Sequence, residues 1–406
     1  MTAHGCRSPS PNSHEWQGGL RPFPGLRTDG SGLQGDAPVP PAASDAPDDD
    51  AAPRRSDGGH GAAAGPSEDR AGCGAEAAVS GGRSVHPADR SDPRGVGRRK
   101  VAVVTDSAAA PPQGWLEDWE ATGGFALVDM PVLIGGQLHT EDEADRLSTL
   151  VVALAEGRPV TTSRPAPGRL RAAYRGFEDA GFEAVVSVHL SGELSGTVGA
   201  ARIARQDIGI PVRIVDTRSA GLAQGLGVRA ALEVAASGEG IDDVARAATE
   251  AAERAQVLIQ VRSLDTLRRG GRVNPTTAMV GTMLQIKPLL SLAEGKIVTV
   301  ERPVSLPRAK QRFMALAGEA LEHSEAQHPV LCVHHVADPH GAREIGEVLV
   351  DRHRPDAELV VSELPPVLSA HVGLGTKAVV IENSISAKIF ADRNARLHHP
   401  VLDEDV

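Results

Sequence analysis

Residues Val185 to Thr197, with the sequence VVSVHLSGELSGT, decide the fold of this chain. An apolar, β-branched run stops at a loop of glycines and hydroxyls, and a helical pattern begins at once with Val198. In an open α/β sheet, ligands bind at such strand–loop–helix corners, at the carboxyl ends of the strands. The start of the helix favours an anion because its N–H groups are free and its dipole is positive there. The corner, with the hydroxyls of Ser195 and Thr197, predicts a site for a carboxylate or a phosphate, although either hydroxyl could instead cap the helix.

Two further corners have the same form. Val101 to Ser107, VAVVTDS, is a buried strand that ends in hydroxyls and a carboxylate, and Val212 to Ser219, VRIVDTRS, is another. Each of the three strands is followed by a helical pattern, as a parallel sheet with one functional edge requires.

The remaining patterns predict two domains. In the first half we predict strands at 101–105, 125–134, 183–189, 211–216 and 256–261, with helices near 168–179, 196–206, 221–236 and 241–255. This alternation is typical of a doubly wound, Rossmann-like α/β domain. In the second half we predict a β-hairpin formed by Gln285–Leu292 and Lys296–Val300. We also predict helices near 305–323 and 339–353 and strands at 329–334, 357–363 and 377–382. We therefore expect an N-terminal α/β domain over 99–255, joined near Thr249–Ala255 to a C-terminal α+β domain over 256–385.

The two ends of the chain differ from this pattern. Residues 1–98 are crowded with Gly, Pro, Ser, Asp and Ala and show no sustained apolar periodicity. Such a segment cannot bury enough apolar surface to offset its ordering entropy, and it lacks the apolar stretch of a secretory signal. Two interpretations stay open, a translated disordered tail or a true start just before Arg98. Residues 386–406 are expected to form a C-terminal tail.

Composition restricts the class of protein. The formal net charge of −11 argues against nucleic acid as the principal partner. No apolar run approaches the roughly 18 residues that cross a bilayer, so we expect no integral membrane segment. Cys332 is the one cysteine in the part expected to fold, and it lies in an apolar strand, which predicts a buried, inert thiol and a reducing compartment, most simply the cytoplasm.

Seven segments carry a family resemblance. In chain order they are Thr105–Asp106–Ser107 with Pro112, Thr162–Gly168 (TSRPAPG), Leu194–Thr197 (LSGT), Asp216–Arg218 (DTR), Leu264–Arg272 (LDTLRRGGR), Ile286–Leu290 (IKPLL) and Ser369–Gly375 (SAHVGLG). In content and order, from about residue 99 to 382, they resemble the motifs of the DegV family. Arg164 stands where the family usually has Gln, Ala166 where it has Ser, and Val372–Leu374 where it has Thr-Gly-Pro.

The resemblance implies a DegV-like two-domain fold and a ligand. It implies that Thr162, Ser163 and Ser195, which we call the hydroxyl cradle, hold the carboxyl group of a long-chain fatty acid, with His371 in support. Taken alone, the box at Thr162 would be a capped loop stiffened by prolines. A hydroxyl cradle suits a carboxylate because a buried carboxylate needs hydrogen-bond donors. The chain would supply affinity at roughly 0.8 kcal/mol per buried CH₂.

The resemblance also implies a partner protein. Family members hand their ligand to a separate ATP-dependent kinase subunit, which implies a place in phospholipid metabolism. The basic cluster of Arg268, Arg269 and Arg272, joined by Lys287, could bind an acidic partner or a phosphoryl group, and the resemblance makes it a candidate docking surface for that fatty acid kinase subunit. The alternative interpretation is a solvated helix C-terminus, where cations meet the negative end of the dipole and glycine stops the helix.

Enzyme signatures are mostly missing from the sequence. It contains neither a nucleotide-binding G-x-x-x-x-G-K-[ST] motif nor a dinucleotide G-x-G-x-x-G motif, and we expect no cofactor. His334 and His335 point to opposite strand faces, so we expect no metal site there or at His398–His399. We therefore predict a lipid-binding carrier without chemistry of its own. The alternatives are a serine hydrolase for acyl substrates, using Asp106, His371 and Ser195, and a regulatory binding protein for another small anion.

Overall fold

The computed structural model of this protein describes residues 101–138, 143–273 and 286–383. The predicted tails, residues 1–98 and 386–406 with His398 and His399, lie outside the described residues, and so does Gln285. The strands are β1 Val101–Asp106, β2 Phe125–Val128, β3 Val132–Ile134, β4 Gln137–Leu138, β5 Val160–Thr162, β6 Ala184–His189, β7 Val212–Asp216, β8 Gln256–Gln260, β9 Leu289–Ala293, β10 Lys296–Glu301, β11 Val330–His335, β12 Glu358–Glu363 and β13 Lys377–Ile381. The helices are α1 Gln113–Ala121, α2 Glu143–Ala155, α3 Pro167–Asp179, α4 Thr197–Ala204, α5 Leu222–Ala236, α6 Ile241–Arg254, α7 Asp265–Arg269, α8 Leu306–Glu322, α9 Pro339–His353 and α10 Pro366–Val372.

The first sheet is parallel and has the strand order β2-β1-β6-β7. Its strands are apolar on both faces, as strands covered on two sides must be. Val103 and Val186 pack with α5 and α6 on one face, and Val104 and Val185 pack with α3 and α4 on the other. The predicted doubly wound arrangement is confirmed, and the three polar corners meet at one edge because β1, β6 and β7 are neighbours.

The second sheet is mixed and has the order β10-β9-β8-β13-β11-β12. Its pairs are antiparallel except β11 with β12, and the predicted hairpin is formed by β9 and β10. Phe313 and Leu316 of α8 pack with Leu349 of α9 on one face of this sheet. The prediction that strand 256–261 belongs to the first half of the fold is wrong, because β8 pairs antiparallel with β9 and β13.

Helix α5 packs against both sheets. Its Val228 and Ala231 belong to the core of the first sheet, whereas Leu222 and Leu226 pack with Val257 and other residues of the second. Because the helix is covered on two sides, its polar residues Gln224, Arg229 and Glu233 are buried together with its apolar ones. The domain boundary that we propose at residue 255 lies between the end of α6 and the start of β8.

The predicted strand 125–134 is wrong as one element, because the structure divides it. Strand β2 belongs to the first sheet, and β3 belongs to a separate antiparallel sheet of order β4-β3-β5. Pro131, which lacks an N–H donor, separates the two strands, and the N–H of Met130 donates to Ser107 Oγ at 3.0 Å. This break brings β5, with Thr162 at its end, alongside β3. Within the described ranges, no helix is long and apolar enough to cross a membrane.

Candidate ligand-binding site

A cavity of about 310 Å³ lies between the corner loops of the first sheet and the strands of the second. This volume is at the lower end of the range of small-molecule sites in proteins. Most of its wall is aliphatic and comes from the loops that follow strands of the first sheet, from the second sheet, from α7, and from α10 with the loop before it: Met130, Leu190, Leu194, Val257, Ile259, Leu267, Leu292, Ile297, Leu364, Val367, Leu368, Val372 and Val380. Such a wall suits a flexible apolar chain.

All four residues proposed to hold a carboxyl group, Thr162, Ser163, Ser195 and His371, line this cavity. Thr162 Oγ1 and His371 Nε2 are 2.7 Å apart. Burial, and then the positive charge of Arg272, lower the pKa of His371 from 6.5 to about 4. The imidazole is therefore neutral near pH 7, and the cradle and its histidine form a polar, uncharged patch.

Neither hydroxyl of the Ser195 corner caps the following helix. The N-cap of α4 is Gly196, and no side chain makes a capping hydrogen bond there. The Ser195 and Thr197 hydroxyls instead lie 2.8 Å from each other. Thr197 is fully buried, whereas Ser195 is partly exposed on the cavity wall. Of the two, Ser195 is therefore the one that can reach a ligand.

The two aspartates at the corners, Asp106 and Asp216, accept hydrogen bonds from backbone N–H groups and do not line the cavity. Asp106 accepts hydrogen bonds from the N–H of Ala108 at 3.1 Å and of Leu190 at 3.3 Å. Asp216 accepts from Gly192 N–H at 3.1 Å and from Arg218 N–H at 3.0 Å. Through Leu190 and Gly192 they fix the loop that carries Ser195.

The hydrolase alternative lacks its hydrogen-bonded triad. Asp106 Oδ2 lies 2.8 Å from His189 Nδ1, and not beside His371. Ser187 Oγ continues this chain, at 2.7 Å from His189 Nε2 and 2.8 Å from the Tyr174 hydroxyl. All four side chains are fully buried, so no substrate could reach them. Burial also raises the pKa of Tyr174 to about 12.

The structure separates the members of the basic cluster. Arg272 lines the cavity, and its Nε donates to the Leu194 carbonyl at 3.1 Å. Arg268 and Arg269 lie on α7 with exposed side chains. Lys287 Nζ donates to the Arg262 carbonyl at 3.1 Å. Arg272 thus belongs to the cavity wall, whereas Arg268 and Arg269 remain candidates for a docking surface.

The sequence did not predict that two polar residues, Arg164 and His334, belong to the cavity wall. Arg164 lines the cavity beside Gly196. His334 also lines it; its Nε2 accepts from Leu222 N–H at 3.0 Å, and burial lowers its pKa to about 4.

The described residues contain no group of three or more His, Cys, Asp or Glu that could hold a metal ion. Asp338 caps α9, because its carboxylate accepts a hydrogen bond from Gly341 N–H at 3.0 Å.

Cys332 is a free, fully buried cysteine, and burial raises the pKa of its thiol. The predicted inert thiol is in agreement with this environment, because the reactive thiolate form is suppressed.

The family model described as "Uncharacterised protein, DegV family" matches residues 100–384. A DegV domain-containing protein of Streptomyces coelicolor is 36% identical over 285 residues, which are 70% of this chain and 99% of that protein. A DegV domain-containing protein of Mycobacterium tuberculosis is 36% identical over 287 residues, 70% of this chain and 97% of that protein.

Solved structures give the same fold. A DegV family protein from Thermus thermophilus, described by its fatty acid binding, is 28% identical with a TM-score of 0.60 and covers 70% of this chain and 100% of its own. DegV from Bacillus subtilis, a fatty acid binding protein, is 25% identical with a TM-score of 0.61 and covers 70% and 99%.

Proposed function

The chain belongs to the DegV family, and from that premise we propose that it binds a long-chain fatty acid in the cavity. The carboxyl group lies at the hydroxyl cradle, and the acyl chain lies along the aliphatic wall. One observation carries the proposal. Thr162, Ser163, Ser195 and His371, distant in the chain, line the same otherwise apolar cavity.

The chemistry of the wall supports an acid with a long apolar tail. Hydroxyls and a neutral imidazole can donate hydrogen bonds to a carboxylate, which would be costly to bury without donors. Burial of about fifteen methylenes would contribute on the order of 10 kcal/mol before the costs of association. The related proteins from Thermus thermophilus and Bacillus subtilis bind fatty acids.

We further propose that the protein is a carrier and not an enzyme. It would present the bound carboxylate, in the cytoplasm, to a separate ATP-dependent kinase. A carboxylate oxygen would then attack the γ-phosphorus of ATP, and ADP would leave with the electrons of the broken P–O bond. The kinase would supply Mg²⁺ and the groups that stabilise the transferred phosphoryl group.

Native mass spectrometry of the protein after bacterial expression tests the ligand. A co-purifying mass equal to a fatty acid, released by denaturation, is expected, and it would give the chain length and unsaturation. An empty cavity, together with hydrolysis of p-nitrophenyl esters that Ser195→Ala abolishes, would favour the hydrolase instead. The geometry at Ser195 does not favour the hydrolase, because the group 2.8 Å from Ser195 Oγ is the Thr197 hydroxyl and not a general base.

A further inference from the structure

The tip of the hairpin formed by β9 and β10 lies between two loops of the first sheet. The tip is Glu294–Gly295, and its two residues have φ angles of 51° and 82°, as a tight two-residue turn requires. A Cβ atom added at Gly295 would lie 2.5 Å from Ser191 Oγ and 3.3 Å from Glu193 Cγ, in the loop after β6. It would lie 3.5 Å from Arg218 Cβ, in the loop after β7. The tip is therefore enclosed, and Gly295 is buried although it ends a hairpin.

Hydrogen bonds from both loops hold the tip in this position. Ser191 Oγ donates to the Gly295 carbonyl at 2.7 Å, and Ser191 is fully buried. Arg218 Nη2 donates to the Glu294 carbonyl at 2.6 Å. Because the bond from Ser191 is buried, its loss would leave the Gly295 carbonyl without that donor in a place that water does not reach while the tip stays in position.

The elements that meet at the tip also form part of the cavity wall. Leu292 and Ile297, on the two strands of the hairpin, line the cavity, and so do Leu194 and Ser195, in the loop after β6. Strand β10 lies at the edge of the second sheet and pairs there with β9. Movement of β10 and the tip away from the loops therefore leaves the other strand pairs of this sheet intact, and it would open the cavity between the hairpin and the loop after β6.

We propose that the hairpin tip is a latch, whose release from the two loops lets the acyl chain enter and leave the cavity. The proposal rests on the proposed function, because it requires a ligand with an acyl chain. Ser191 is a positioning residue here: it is not part of the cavity wall, and it acts by holding the tip. A weaker latch raises the open fraction of the free and of the liganded protein by the same factor. The rate constants of association and dissociation then rise together, and the affinity stays unchanged.

Stopped-flow kinetics with the fluorescent fatty acid cis-parinaric acid test this, with excess oleate as the competitor for dissociation. Ser191→Ala should raise both rate constants about five- to tenfold, the size of one hydrogen bond, and change the dissociation constant less than about twofold. Ser324→Ala is the matched control. Each serine donates to a distant carbonyl, at 2.7 Å for Ser191 and 2.9 Å for Ser324, and accepts from the N–H two residues on, at 3.2 and 3.3 Å. Ser324 lies outside the cavity wall, so its variant should exchange the ligand at the wild-type rate.

A second variant changes the latch at its surface, where folding is not at risk. Lys296 Nζ lies 3.5 Å from Glu193 Oε2, and both side chains are exposed. Lys296→Glu replaces this attraction with repulsion and should raise both rate constants about twofold at low ionic strength, and less at high ionic strength. Lys310→Glu, at an exposed lysine of α8 outside the cavity wall, should leave both unchanged.

The outcomes separate the latch from the proposal on which it rests. Wild-type rate constants in both Ser191→Ala and Lys296→Glu would overturn the latch. Faster dissociation alone, with weaker affinity, would overturn it too, because the loop after β6 would then act on binding itself. Equal acceleration in Ser324→Ala would assign the effect to lower stability. Each of these results leaves the fatty acid proposal standing, whereas a wild-type protein that binds neither cis-parinaric acid nor oleate would overturn both proposals.

Discussion

Thr162 Oγ1 lies 2.7 Å from Nε2 of His371, although 209 positions separate the two residues in the chain. Thr162 ends β5 of the small antiparallel sheet, and His371 lies in the last turn of α10. Helix α10 packs against β5, α2 and α7, and this packing creates the contact. The polar end of the cavity is therefore assembled from both halves of the chain, and its residues can be tested separately.

Thr162→Val and Ser195→Ala should each weaken fatty acid binding without unfolding the protein. Each change removes one donor to a charged group, which costs about 1.5–3 kcal/mol. Calorimetric titration with oleate measures the affinity, and thermal unfolding checks the fold. Thr249→Val is a matched control, because its hydroxyl bonds the Ala245 carbonyl within α6, away from the cavity wall. Unchanged oleate affinity in both cradle variants would place the carboxylate elsewhere.

Gly270→Ala should disturb the site through His371. The φ angle of Gly270 is −75°, which alanine adopts readily, but the added Cβ would lie 2.7 Å from His371 Nδ1. The imidazole must move out of the position in which it faces the cradle, and we expect oleate affinity to fall by about 1.5–3 kcal/mol, the value of one hydrogen bond to a charged group. Gly176→Ala on α3 is the control, since its Cβ would meet nothing within 4 Å. Equal oleate affinity for the two variants would show that the position of His371 does not matter for binding.

The sequence allowed the prediction that Thr162, Ser163 and Ser195 lie in one place, but not which residues form the wall that faces them. Ser163 and Ser195 belong to local patterns of strand, hydroxyl loop and helix, so neighbouring residues determine their position. The wall is built from Leu, Val and Ile of the second sheet, of helices and of loops, and such residues have the same sequence signature whether they line a cavity or fill a core. The short helix α10 gave no periodicity, because seven residues make fewer than two full turns.

The basic cluster shows the same limit. In the sequence, Arg268, Arg269 and Arg272 form one group, but α7 ends at Arg269 and the next turn directs Arg272 into the cavity. The positive φ of Gly271, 70°, permits this change of direction. Long-range packing, which a local pattern does not contain, assigns these arginines to two different surfaces.

Ser187→Ala should destabilise the protein and leave oleate binding intact. The change leaves His189 Nε2 and the Tyr174 hydroxyl, both fully buried, without a partner. Each unsatisfied group costs about 1–3 kcal/mol. Denaturant unfolding measures the loss, and Ser237→Ala, at an exposed serine after α5, should cost much less. A drop in oleate affinity without a loss of stability would instead show that this buried series of hydrogen bonds has a role in ligand binding.

The wild-type protein should lose stability between about pH 5 and pH 8 through Glu233. Burial is the main reason that the pKa of this carboxyl is raised from 4.5 to about 7; Arg229 lowers the pKa, and Glu382 raises it. The folded state therefore binds the proton more tightly than the unfolded state does. The bound proton on Glu233 stabilises the folded state fully below the unfolded pKa of 4.5. This contribution to the free energy of unfolding, roughly 3 kcal/mol in total, is lost as the pH rises through about 7. Denaturant unfolding as a function of pH should show a flatter profile for Glu233→Gln, and parallel profiles would assign the loss to other groups.

Replacement of Arg268 and Arg269 by Glu should suppress acyl phosphate formation by the partner kinase while oleate affinity stays unchanged. Both side chains are exposed on α7, whose Leu267 lines the cavity, so the positive surface lies near the cavity that the proposed kinase would have to approach. Charges at such a position raise the encounter rate by about tenfold or more, and salt weakens the effect.

The test compares ATP-dependent acyl phosphate formation at low and high ionic strength in the wild type, the double variant and Arg343→Glu. Arg343 is an exposed arginine of α9 and serves as the charge control. We expect the double variant to be slow at low ionic strength and to approach the wild-type rate at high ionic strength, with Arg343→Glu close to wild type throughout. Parallel loss of oleate binding and phosphoryl transfer would make α7 part of the ligand site. No change in either assay would make Arg268 and Arg269 a solvated helix end, in which cations only balance the negative end of the helix dipole.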